Sequence, residues 1–169
     1  GLGDVYKRQG KPAQAIEDRI AQITQEAYDN GDYIFVAMDR HDEGDTFHPE
    51  TKLFPPHNIA GTSGRELYGK LAGVYDAIKD DNRVFWMDKR HYSAFSGTDL
   101  DIRLRERRVT TVVLTGVLTD ICVLHTAIDA YNLGYDIEVV ASATASLTPE
   151  AHDFAIGHFK NVLGATIVE

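Results

Sequence analysis

Val109-Thr-Thr-Val-Val-Leu-Thr115 is a run of apolar and β-branched residues without polar alternation, the pattern of a strand covered on both faces of a parallel sheet. The residues after it predict a helix from Asp120 to Leu133, closed by Gly134, a residue suited to the left-handed turn past a helix end. Ile137-Glu-Val-Val140 then reads as a strand, Pro149 to Phe159 as a helix opened by proline in its first turn, and Ala165-Thr-Ile-Val168 as a last strand. Upstream the same alternation holds. A helix is predicted from Pro12 to about Asn30, with Ile16, Ile20, Ile23 and Ala27 on one stripe and Asn30-Gly31 as its stop. Tyr33-Ile-Phe-Val-Ala-Met38 and Arg83-Val-Phe-Trp-Met87 read as strands, and Leu100 to Arg107 as a short helix. Strand and helix alternating in this way predict an α/β fold, a three-layer α/β/α arrangement around a mainly parallel central sheet.

The chain has 169 residues, 43% hydrophobic and 25% charged, which is enough for a packed domain and argues against disorder. Residues 1–10 lack apolar alternation and capping logic and are read as a fragment boundary or a scar, leaving 11–169 as a single domain. Seventeen basic residues against 26 acidic ones give a net charge of −9, which disfavours nucleic acid and anionic membrane surfaces as partners. The basic stretch Arg103 to Arg108 fits a solvated helix face. A single cysteine excludes an intrachain disulfide and multi-cysteine zinc motifs, no apolar run is long enough to span a bilayer, and a reducing cytoplasmic setting is expected. The composition leaves a homo-oligomer open.

One segment departs from the economy of the rest. From Arg40 to about Gly64 there is little periodicity, three His, three Pro and several acids, and loops of that length inside compact domains are usually functional. Asp39 and His41 follow a predicted strand at a spacing that puts both on one face, with Glu50 and His57 further along the loop. Imidazoles with carboxylates suit zinc, iron or manganese. An acidic loop with solvated histidines is the alternative. Cys122 falls just after Thr119 and Asp120, good helix-capping types, so it is expected in a helix first turn, where a thiolate is favoured, and an ammonium nearby would favour it further. The alternative is a small buried hydrophobe.

Three separated motifs carry a resemblance. Met87-Asp-Lys-Arg-His-Tyr-Ser-Ala-Phe-Ser-Gly-Thr-Asp-Leu100, then Leu114-Thr-Gly-Val-Leu-Thr-Asp-Ile-Cys-Val123 with Thr126-Ala-Ile-Asp-Ala130, resemble the nicotinamidases of the isochorismatase-like cysteine hydrolase superfamily. Phe54-Pro-Pro-His-Asn-Ile-Ala-Gly-Thr-Ser-Gly64 is similar to that family's metal loop, and the likeness runs from about Pro12 to the C-terminus. The resemblance implies the isochorismatase-like fold, Cys122 as nucleophile and Lys89 as its electrostatic partner. It also implies Asp39, His41, Glu50 and His57 as ligands of one divalent ion, zinc foremost, and Phe54 and Tyr92 as pyridine-pocket residues. A cis peptide between Val117 and Leu118 would aim the amides of Leu118 and Cys122 at the oxyanion. The implied reaction converts nicotinamide to nicotinate and ammonia through a thioester, in NAD salvage, with pyrazinamide also accepted.

The family's third catalytic residue is an aspartate in an Asp-x-x-x-Asp-Phe motif after an N-terminal strand, and this sequence lacks that motif. Asp4 has no apolar strand before it and is not assigned the role. The resemblance therefore implies weak activity for the chain as written compared with a form carrying that strand. Another superfamily amidohydrolase, acting on a carbamoyl or ureido group, and a non-catalytic pyridine-binding homologue are the alternatives. Isochorismatase itself is disfavoured by the intact cysteine segment.

Overall fold

The structure, a computed structural model, describes residues 14–169. The predicted helix start at Pro12, the segment 1–10 and Asp4 lie outside the described residues. The chain divides into two compact units, one up to His91 and one over Tyr92–Glu169.

In the first unit, α1 (Glu17–Asp29) buries Ile20 and Ala21 and is followed by β1 (Ile34–Asp39). Helix α2 (Gly69–Ile78) leads to β2 (Val84–Lys89), which pairs in parallel with β1 from Ile34↔Val84 to Asp39↔Lys89. In-register Phe35 and Phe85 stack at 4.8 Å. No helix is expected from the sequence analysis at α2, although Leu71, Val74, Tyr75 and Ile78 fall at helical spacing; what tertiary structure decides is where this helix starts. Its N-cap, Tyr68, makes no capping bond; instead Glu17 of α1 accepts from the Lys70 N–H at 2.7 Å. Gly69 has φ 54, and a Cβ there would stand 1.8 Å from the Glu17 carboxylate, so only glycine permits that approach.

Asp81 ties the entry of β2 to α1. It accepts from the Tyr28 hydroxyl at 2.9 Å, from the Arg83 N–H at 2.9 Å and from the Arg83 guanidinium at 3.1 Å. These bonds, that of the Arg83 side chain foremost, bring its carboxyl down from 3.8 to about 2. A native value below the unfolded one means that the unfolded chain binds more protons in between. The stabilisation is therefore complete above the unfolded value and is lost as pH falls toward about 2. In acid titrations followed by circular dichroism, Asp81→Asn is expected to be less stable than wild type near neutrality and to converge with it as pH falls through that window. A difference unchanged across the window would contradict this account.

In the second unit, α3 (Leu100–Glu106), β3 (Thr111–Val117), α4 (Leu124–Asn132), β4 (Asp136–Ala145), α5 (Pro149–Asn161) and β5 (Thr166–Val168) alternate. The three strands are parallel in the order β3-β4-β5, with an irregularity between Leu114 and Gly116. Ala127, Ala130, Val139, Ala143, Ala155 and Phe159 form its fully covered core. Strand β4 runs five residues beyond the predicted Val140, through Ala141-Ser-Ala-Thr-Ala145, small residues mostly of weak strand propensity. Helix α5 begins as its sequence indicates, with Pro149 in the first turn and Thr148 Oγ1 accepting from the Ala151 N–H at 3.2 Å. The fold is thus α/β with parallel sheets. Among the described residues no helix is long and apolar enough to cross a membrane.

Candidate functional site

The β1/β2 register places Asp39 and Lys89 side by side at the carboxyl ends of their strands. Lys89, 5% exposed, donates from Nζ to the Asp39 carboxylate and to the His91 carbonyl at 3.0 Å. A buried ammonium is stable only when its donors are satisfied in this way.

Beyond β1 the chain leaves the sheet and returns. His41 forms a parallel bridge to Ile59, with its N–H on the Asn58 carbonyl at 3.1 Å and its carbonyl accepting from the Ala60 N–H at 2.8 Å. That bridge brings His57 beside His41, their ring centroids 4.3 Å apart. Glu50 enters on a short 3-10 turn, Pro49–Lys52. Both His41 Nε2 and His57 Nε2 face Glu50 Oε2, at 3.7 and 3.5 Å.

Their ligand atoms lie within 4.8 Å of one another, and His41, Glu50 and His57 form a group able to hold a metal ion. Two donors each about 2.1 Å from a tetrahedral ion would be separated by about 3.4 Å, close to the observed spacing. His57 Nδ1 lies 3.0 Å from the Pro55 carbonyl, which only accepts, so Nδ1 carries a proton; in the neutral tautomer this leaves the Nε2 lone pair facing the Glu50 carboxylate. Lone pair opposite carboxylate is an arrangement that a cation between them relieves. Burial, reinforced by His57 and His48, brings His41 down from 6.5 to about 4, which keeps its ring neutral near pH 7. Burial and the charge of Asp39 raise Glu50. Asp39, the fourth expected ligand, stands outside this group and is engaged by Lys89. Phe54 lies edge-on to His57 at 6.4 Å.

In the second unit the peptide between Val117 and Leu118 is cis, and Gly116 before it has φ 113. Cys122 is only partly buried. It does not open an α-helix, as its position after Thr119 and Asp120 predicted. It sits in a π-helical turn, Thr119–Val123, and α4 begins at Leu124. The Val123 N–H reaches back five residues to the Leu118 carbonyl at 3.1 Å. The wide turn is held open by ties that sequence reasoning left out. Thr119 Oγ1 is 2.9 Å from His152 Nδ1, and Ser146 donates to the Asp120 carboxylate at 2.6 Å. Thr126 donates to the Cys122 carbonyl at 2.7 Å and accepts from the Ala94 N–H at 3.0 Å. His152 and Ser146 stand 33 and 26 residues along the chain from their partners, so no local signal marks them. Thr126 lies within a motif already singled out. Tyr92 packs beside His125, at 5.2 Å.

The Isochorismatase domain family matches residues 5–168. An uncharacterized isochorismatase family protein of Bacillus subtilis, PncA, is 52% identical over 160 residues, which cover 95% of this chain and 87% of the relative. Among solved structures, a pyrazinamidase/nicotinamidase from Streptococcus mutans superposes with a TM-score of 0.94 at 78% identity, over 95% of this chain and 88% of that one. The nicotinamidase/pyrazinamidase PncA from Bacillus subtilis gives a TM-score of 0.94 at 53% identity, with the same coverage.

Proposed function

The chain belongs to the isochorismatase domain family, and from that premise we propose that it is a nicotinamidase, hydrolysing nicotinamide to nicotinate and ammonia and accepting pyrazinamide as a close isostere. The observation that carries this reading is the likeness to the Streptococcus mutans enzyme over nearly the whole chain. The His41, Glu50 and His57 group supports it, because two imidazoles and a carboxylate suit a transition metal, and such an ion can also take a pyridine nitrogen.

In the proposed cycle, Cys122 attacks as its thiolate and forms a C–S bond to the carboxamide carbon. The C–N bond breaks, and the proton that left the thiol goes to the departing nitrogen as ammonia. Water then adds to the thioester; C–S cleavage returns the thiol and releases nicotinate. The amides of Leu118 and Cys122 stabilise the oxyanion in both halves. The resemblance gives Lys89, held at the end of β2 by Asp39, the part of favouring the thiolate through its charge, and gives Phe54 and Tyr92 the part of pyridine-pocket residues. His41, Glu50 and His57 would hold the ion, zinc foremost and manganese or iron as alternatives, with Asp39, which the resemblance adds to the set, engaged by Lys89; when bound, the ion would supply a Lewis acid for the pyridine nitrogen. Nicotinate released in this way feeds NAD salvage. A cytoplasmic setting belongs to the same proposal, because a reducing compartment preserves the single catalytic thiol.

Purified protein supplied with zinc, manganese or iron is expected to release equal amounts of ammonia and carboxylate from nicotinamide and from pyrazinamide. Turnover of a carbamoyl or ureido compound but of neither ring amide would move the activity elsewhere in the superfamily. Binding of nicotinamide without ammonia release would make the chain a pyridine-binding homologue.

A further inference from the structure

The third histidine of the long loop has no part in the cluster, yet it touches two of its members. His48 is 3% exposed, and its Nδ1 accepts from the Glu50 N–H at 3.2 Å as the cap of the short turn that carries Glu50. Its ring lies 4.0 Å from that of His41, tilted by 40°. A neutral imidazole that accepts at Nδ1 carries its proton on Nε2. That nitrogen is buried without a hydrogen-bond partner among the described residues, as is Nδ1 of His41. Burying a polar nitrogen in this way is costly, and such a cost persists where the group serves something other than stability.

We propose that His48 is a positioning residue of the metal centre, setting its affinity by fixing Glu50 through Nδ1 and backing the His41 ring with its own. The inference rests on the reading of His41, Glu50 and His57 as metal ligands. Glu50 and His41 come from separate segments, a four-residue turn and the extension of β1 that bridges to Ile59. His48 bonds to one and packs on the other. Its remaining nitrogen, Nε2, is outside the group of mutually close ligand atoms, which is why it acts on the ion through its neighbours. Partners of metal ligands in this position typically change affinity by about 10- to 100-fold when removed.

The test uses the whole chain, stripped of metal and titrated with zinc or cobalt in competition with a chromophoric chelator. His48→Ala removes both contacts, His48→Phe keeps a ring but loses the acceptor, and His48→Asn keeps an acceptor but loses the ring. His48→Ala is expected to bind about 10- to 100-fold more weakly than wild type, with the other two between them and the visible band of bound cobalt shifted. In a Glu50→Ala background the loss caused by His48→Phe should shrink to less than threefold, because the residue acts through Glu50. His48→Phe conserves volume and decides the matter if His48→Ala does not fold. Wild-type affinity in His48→Phe, or its full effect persisting without Glu50, would overturn the proposal. A wild-type chain that binds no transition metal would overturn the metal reading itself, an outcome separate from either of these.

Discussion

Cys122→Ala is expected to lower the rate of ammonia release from nicotinamide by about 100-fold or more, the loss left to a nucleophile when another member of its concerted set is already missing. The carboxamide is a poor electrophile, and without Sγ neither a covalent intermediate nor an activated water replaces the lost step. Cys122→Ser should fail almost as badly, because a hydroxyl at neutral pH lacks the thiolate fraction that makes cysteine reactive. The fold should survive both changes. The turn carrying Cys122 is fastened by Thr119 to His152, by Asp120 to Ser146 and through the Cys122 carbonyl to Thr126, and none of these bonds uses the thiol. Ammonia release in a coupled assay, with circular dichroism to confirm folding, provides the measurement. Because the chain has one cysteine, iodoacetamide should inactivate wild type at one label per chain, and nicotinamide should protect it. A Cys122→Ala protein that kept a tenth of the activity would remove Cys122 from the mechanism.

The second large effect is expected at His57. His57→Ala removes one of three converging donors and leaves the Glu50 carboxylate with His41 alone, so bound metal should fall from about one ion per chain to near zero at micromolar free metal. If the ion anchors the pyridine nitrogen, the kinetic loss falls first on substrate binding. The KM for nicotinamide should rise by at least about tenfold, on the scale of lost metal affinity. Chelation of wild type should reproduce the same behaviour, and metal should restore wild type but not His57→Ala. Elemental analysis with steady-state kinetics reads both. Full metal occupancy in His57→Ala would dissolve the cluster as a ligand set.

Much of this was legible in the order of residues. Runs such as Val109 to Thr115 announce parallel strands because nothing in them alternates, but the expected cover on both faces is not found: among the described residues no residue of β3 is buried and Val113 is 54% exposed. Gly134 and Pro149 mark helix ends through their own backbone geometry. The histidines and acids of the long loop stood out because they fall where no periodic element accounts for them. Helix α2 does carry a local signal, Leu71, Val74, Tyr75 and Ile78 at helical spacing, and only its start, capped by a carboxylate from α1 53 residues away, has no mark in the nearby sequence. The π-helical turn was invisible because its hydrogen-bond register depends on partners 26 and 33 residues further along.

What the sequence determined alone was therefore most of the elements, short of α2 and the π-helical turn, and the chemically able residues, since propensity, periodicity and residue type are local properties. Tertiary structure decided which of those residues meet. It drew Glu50 to His41 and His57, set Asp39 against Lys89, and gave His48, one more loop histidine in the sequence, contact with two ligands at once. These are through-space outcomes of a parallel register and a returning loop, and spacing along the chain does not encode distances of that kind.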